Sequence, residues 1–241
     1  METFTSQPDG LTVNGTMTHL ETIFTSIQGE GIYVGVPQLF IRFSGCNLKC
    51  LYCDTPEARV PHPMARIENK PFQRNFKLVS NPIKIENLSR EVFNLADNFP
   101  EIHSVVLTGG EPLVATGFLR NFLPELKKKN LRIFLETNGT LPDQLKSILE
   151  FIDIISMDIK IPSAVGREVD WDKTVEFLKI SAQRVVYTKI LVTGLEKPEE
   201  LTRARALIAG VNKKIPLVLQ PFSPILSGGA PTGNHTNNHR S

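Results

Sequence analysis

From residue 85 onward the chain alternates apolar runs with amphipathic ones, and this alternation limits the fold more than any other feature. "IHSVVLTGGEP", "LRIFLETNG", "IDIISMDIKIP", "RVVYTKILVTG" and "IPLVLQPFSP" each open on a short apolar run and close on turn or polar residues. Between and before them, "IENLSREVFNLADNF", "GFLRNFLPELKKKN", "LPDQLKSILEF", "VDWDKTVEFLKISA" and "KPEELTRARALIAG" space their apolar residues for helices. Upstream, "HLETIFTS" and "PQLFIRFS" alternate as strands across a Gly-rich turn region, "IQGEGIYVGV". Continuous apolar strands separated by helices imply a parallel sheet covered by helices. With about six such strands, too few for an eightfold barrel, the expected class is α/β, a partial (β/α)6-type open barrel.

In such folds chemistry gathers where strands end. The polar motifs fall there: "TGGEP", "ETNG", "SMDIK" and "QPFS" each sit at or just past a strand's C-terminal end. The strand "PQLFIRFS" leads into a loop that holds all 3 cysteines, Cys46, Cys50 and Cys53.

Three clustered thiols cannot close a disulfide framework, because one is always left over. Thiolates bind soft metals and iron-sulfur clusters. A CxxxCxxC loop with no fourth cysteine suits a 4Fe-4S cluster with one iron left open to a small molecule. A zinc ion completed by a histidine, of which His62 is nearest in sequence, and three incidental thiols are the competing readings.

The chain has 241 residues and a net charge of +2. That length fits one core domain, expected over 18–224, with a flexible extension at 1–17 and a flexible tail at 225–241 that holds His235 and His239. Residues 57–82, rich in Pro, Asn, Lys and Arg, read as an irregular basic insertion. No apolar run is long enough to span a membrane, and no basic start with an apolar core marks a signal peptide. A cytoplasmic protein without membrane or nucleic-acid partners is expected.

The cysteine loop joined to "GGEP" resembles the radical S-adenosylmethionine (SAM) superfamily and its partial barrel. "SIQGEG", an arginine four residues before the first cysteine, "DT" after the third, "LTGGEP", "ETNGT", "DIK" and "LQP" resemble the 7-carboxy-7-deazaguanine synthase family more narrowly. The resemblance implies a carbon-nitrogen lyase that converts 6-carboxy-5,6,7,8-tetrahydropterin to 7-carboxy-7-deazaguanine with loss of ammonia. It implies a 4Fe-4S cluster on the three cysteines, SAM on the open iron, and Mg2+ on Thr55, with Asp54 nearby. It places substrate against Ile27, Gln28, Gly29, Arg42 and Thr108. It places SAM along Tyr52, Cys53, Asp54, Gly110 and Glu111, then Glu136 and Asn138, then Ser156, Asp158 and Lys160, and last Gln220, Pro221, Phe222 and Ser223. No side chain is assigned as an acid or base.

For Arg42 the competing expectation is an ion pair with Glu30 or Asp54; for Asp54 and Thr55 it is a helix cap. A flavodoxin- or ferredoxin-type electron donor and a homodimer are also implied. Other classes remain: a glycyl-radical activating enzyme, a non-catalytic zinc module, or a relative that binds SAM without turnover. The extension, the 57–82 segment and the tail depart from the family pattern, and these departures bear on the substrate more than on the reaction class.

Overall fold

A computed structural model describes residues 12–13 and 15–222. Its strands are β1 (Thr12–Val13), β2 (Met17–Thr18), β3 (Leu20–Ile27), β4 (Pro37–Phe43), β5 (Met64–Glu68), β6 (Phe76–Ser80), β7 (Ile83–Lys84), β8 (Ser104–Gly109), β9 (Ile133–Thr137), β10 (Ile154–Asp158), β11 (Val185–Val192) and β12 (Leu217–Pro221). Its helices are α1 (Ile85–Asp97), α2 (Thr116–Lys128), α3 (Pro142–Lys146), α4 (Pro162–Val165), α5 (Trp171–Ser181) and α6 (Pro198–Val211).

Nine strands form one sheet in the order β12-β11-β10-β9-β8-β4-β3-β5-β6. The run from β4 to β12 is parallel throughout and follows chain order, so the six expected strands are these. Both ends of the sheet are free among the described residues, so the barrel is open. Helices bury their apolar faces on one side: α1 sets Leu88, Val92 and Leu95 into the core, and α2 sets Phe118, Leu119, Phe122 and Leu126 beside them.

The inner face reads in layers, because alternate residues of a strand share a face. Phe40, Val106, Phe134, Ile154 and Tyr187 make a separate apolar cluster there, with Phe24, Tyr33 and Val218 against it. Two residues further along the same strands stand Arg42, Thr108, Glu136, Ser156, Lys189 and Gln220. An apolar floor thus underlies a polar layer at the C-terminal rim. The β3–β4 loop folds in from the other side. Gly31 lies so near the Tyr187 ring that a Cβ would come within 2.4 Å of it, at a φ of +67°.

Three expectations are corrected. Residues 57–82 are not irregular: β5 pairs in parallel with β3, and β6 pairs with β5. Ala65 and Ile67 are fully buried, while Met64 and Arg66 face out, a period of two that a five-residue strand displays only briefly. Part of the 1–17 extension is ordered, since Thr12–Val13 pairs with Met17–Thr18. "LPDQLKSILEF" is not one helix; α3 stops where the Ser147 hydroxyl bonds the Gln144 carbonyl, and a separate 3-10 turn covers Leu149–Phe151. The expectations on Ser223, His235, His239 and the tail lie outside the described residues. No helix among the described residues is long and apolar enough to cross a membrane.

Candidate active site

The cysteine loop leaves β4 and is held from several sides. Glu111 N–H donates to the Gly45 carbonyl at 2.8 Å, and Gly45 N–H to the Ala58 carbonyl at 2.7 Å. Glycine at 110 is required by this approach, because a Cβ would lie 2.2 Å from the Gly45 oxygen. The two glycines of "GGEP" therefore admit backbone, Gly109 that of Phe43 at the end of β4 and Gly110 that of the loop. Asn138 Nδ2 donates to Asn47 Oδ1 at 2.9 Å, and Asn47 Nδ2 donates to Thr140 Oγ1 at 2.8 Å. Arg59, from the segment after the loop, donates to the Cys50 carbonyl.

Cys46, Cys50 and Cys53 are free and half-buried. Burial pushes the Cys46 thiol up to about 12 and raises Cys50 as well. Metal binding would take the protons these thiols hold. Among the described residues no three of His, Cys, Asp or Glu converge as the ligands of a single ion. His62, the alternative zinc ligand, has its Nε2 on the Glu57 carbonyl.

Glu111 is fully buried and braces two strand ends. It accepts from Leu113 N–H at 3.1 Å, Thr137 Oγ1 at 2.9 Å and Asn138 N–H at 2.7 Å. Burial raises its pKa to about 7, although these hydrogen bonds act to lower it. On the other flank Lys160 Nζ donates to Asp158 Oδ2 at 2.7 Å and to Tyr52 Oη at 3.0 Å. Burial is the largest influence and opposes the Lys160 charge, but Asp158, Tyr52 and Cys50 together overcome it and hold the pKa above the ordinary 10.5. Phe222 meets Tyr52 edge-on, ring centroids 6.4 Å apart, which brings the end of β12 to the cysteine loop.

Arg42 pairs with neither Glu30 nor Asp54. Its Nη1 donates to Thr55 Oγ1 at 3.0 Å, and its Nε lies 3.9 Å from Glu21 Oε2. Thr55 Oγ1 in turn donates to Asp54 Oδ1 at 3.2 Å. Thr55 precedes the 3-10 turn Pro56–Arg59 but makes no side-chain cap to it.

Deeper in the inner face, Gln28 Nε2 donates to Glu136 Oε1 and to Gln38 Oε1, each at 2.9 Å. Lys189 pairs with Glu30, and Gln220 Nε2 donates to Glu30 Oε1 at 2.7 Å. Ile27 is half exposed. Asp158 Oδ1 and Gln220 Oε1 are buried with no hydrogen-bond partner among the described residues, and Ser156 Oγ has only the neighbouring Tyr187 hydroxyl within reach. Buried polar atoms are normally paired, so unpaired oxygens on this face fit a polar ligand such as SAM.

Most of the expected residues thus meet at the C-terminal ends of the strands beside the cysteine loop. Asn138 is committed to the cysteine loop, and Gly29 has open space where a Cβ would stand. Sequence reasoning missed Gln38, Asn47, Arg59 and Lys189, and it met Glu30 only as a partner for Arg42. Lys189 was findable, since it follows Tyr187 by two on a strand whose inner face is apolar.

Residues 40–207 match the Radical SAM superfamily. A 7-carboxy-7-deazaguanine synthase of Geobacter sulfurreducens is 44% identical over 205 residues, covering 85% of this chain and 81% of that protein. One of Methanopyrus kandleri is 38% identical over 206 residues, covering 83% and 79%. The fold is similar to a crystal structure of QueE from Escherichia coli, with a TM-score of 0.54 at 19% identity over 86% of this chain and 85% of that one. It is also similar to anSMEcpe with bound AdoMet, with a TM-score of 0.51 at 20% identity over 79% and 50%. The chain therefore belongs to the radical SAM superfamily and, within it, to the 7-carboxy-7-deazaguanine synthase family.

Proposed function

We propose that this protein converts 6-carboxy-5,6,7,8-tetrahydropterin to 7-carboxy-7-deazaguanine with loss of ammonia, as a SAM-dependent carbon-nitrogen lyase. The observation that carries the reading is the three-cysteine loop set beside a polar layer at the strand ends that keeps unpaired buried oxygens on Asp158 and Gln220, in a chain 44% identical to a protein of that name.

When bound, a 4Fe-4S cluster and SAM supply a 5'-deoxyadenosyl radical. Cys46, Cys50 and Cys53 hold the cluster. Tyr52, Lys160 and Asp158 stand beside it, where Asp158 Oδ1, Ser156 Oγ and Gln220 Oε1 meet the polar groups of SAM. Glu111 keeps one acceptor site on Oε2 for the SAM ammonium while it fixes the ends of β8 and β9. Arg42, with Thr108 beside it in register, binds the substrate carboxylate through its planar fork. Thr55 Oγ1 and Asp54 Oδ1 are neighbouring hard oxygens and hold Mg2+ together with substrate oxygens. Glu136, which the family resemblance sets on SAM, is tied by Gln28 Nε2 to the β3–β4 loop, and with Gln28 and Glu30 it faces the pterin ring above the apolar layer.

The same reading extends to a flavodoxin- or ferredoxin-type electron donor, a homodimer and a cytoplasmic setting, each carried by resemblance to the family. Anaerobic reconstitution, reduction with dithionite, and addition of SAM, magnesium and the pterin test the substrate. Mass spectrometry should find 7-carboxy-7-deazaguanine. Release of 5'-deoxyadenosine with the pterin intact would reject the substrate and keep the radical chemistry.

A further inference from the structure

Below the polar layer at the strand ends runs a chain of side-chain hydrogen bonds. Arg132 Nη1 contacts His103 Nε2 at 2.8 Å, His103 Nδ1 contacts Ser104 Oγ at 3.1 Å, and Gln38 Nε2 donates to Ser104 Oγ at 2.9 Å. Gln38 Oε1 accepts from Gln28 Nε2, whose second proton goes to Glu136 Oε1. Ser104 is 2% exposed, Gln28 3% and Gln38 0%. Phe24 and Phe40 stack in the adjacent layer, ring centroids 5.0 Å apart.

Both ends fix the direction of every bond. Arginine has no acceptor, so Arg132 must donate to Nε2, and the His103 proton sits on Nδ1 and goes to Ser104. Burial, then the Arg132 charge, lower the His103 pKa, in keeping with a neutral ring. At the other end the Glu136 carboxylate accepts, while Glu30 N–H donates to Gln28 Oε1 at 3.0 Å. The Gln28 amide therefore has one orientation, and its two N–H groups are both spent. Gln28 offers no free donor to a ligand; it aims Glu136.

We propose that Gln38 and Ser104 are positioning residues that hold Gln28 and thereby set the direction of the Glu136 carboxylate toward the bound pterin. The claim rests on the polar layer at the strand ends being the pterin site. Two buried amides here add little to stability over apolar groups of the same shape, since a matched polar pair can be replaced almost neutrally. They add direction, which apolar groups lack.

The test compares Gln38→Met, Ser104→Ala and Ser104→Thr, each reconstituted as holoenzyme. Gln38→Met should keep the iron content and the KM for SAM. It should raise the pterin KM about fivefold, the factor of one lost hydrogen bond, and release more 5'-deoxyadenosine per product. Ser104→Ala should do the same more weakly, and Ser104→Thr, which keeps the hydroxyl, should restore wild-type values. A crystal structure of Gln38→Met should find Gln28 and Glu136 turned from their wild-type positions. The proposal is overturned if both side chains stay in place and the pterin KM is unchanged. If the wild type leaves the pterin intact, the substrate reading fails, and the crystal structure alone decides the positioning claim.

Discussion

Arg59 Nη2 donates to the Cys50 carbonyl oxygen across 2.6 Å. The bond joins the segment that follows the cysteine loop to the loop itself, nine residues back. Arg59→Ala removes a charge-assisted bond worth on the order of 2 kcal/mol. It should lower the iron retained after reconstitution and speed bleaching of the cluster in air, both read by visible absorption. Unchanged iron retention would show that the other ties, from Glu111 and Asn138, suffice.

The Glu111 carboxyl should titrate near neutrality before any ligand binds. Its pKa is raised from 4.5 to about 7, chiefly by burial. A raised carboxyl pKa means the folded state holds its proton longer than the unfolded one. Stability is then lost as pH rises from about 4.5 to about 7, by roughly 3 kcal/mol in all. Carbon-13 NMR, assigned against Glu111→Gln, should give a midpoint near 7 that falls when SAM brings its ammonium. A midpoint near 4.5 in the free protein would contradict this account of the brace.

Lys189 sits in the polar layer of the inner face, paired with Glu30. Burial disfavours its charge, yet Glu136, Glu30 and Asp158 overcome this and raise its pKa above the ordinary 10.5. Lys189→Met leaves these carboxylates facing one another. The expected loss is on the order of 2 kcal/mol, below the full penalty of a broken buried pair because Glu30 is 34% exposed. Adding Glu30→Gln should recover part of it. Denaturant unfolding of the single and double variants measures the coupling, and strict additivity would show that the pair is energetically idle.

The parallel half of the sheet was legible because its strands are apolar throughout and its helices keep a clear period. The site cysteines were legible because three thiols at fixed spacing exclude most alternatives. The hairpin of β5 and β6 was not: β6 exposes Lys77 and Leu78 and reads as a loop. Nor was the role of Glu68, which is buried in that hairpin and accepts from Thr25 and Arg74. Contacts between distant residues, such as Gln28 with Glu136 or Lys189 with Glu30, follow from barrel curvature and loop entry, and no local pattern encodes them. Arg42 shows the same limit, since its partner Glu21 comes from the neighbouring strand in register near Thr22.

The central claim is that Cys46, Cys50 and Cys53 hold an iron-sulfur cluster whose open iron takes SAM. The most direct measurement is iron and acid-labile sulfide per chain after anaerobic reconstitution, with electron paramagnetic resonance of the reduced protein before and after SAM. The account predicts about four irons and four sulfides per chain, and a spectrum that changes when SAM is added. A protein that takes up zinc in place of iron, or a cluster whose spectrum ignores SAM, would contradict it.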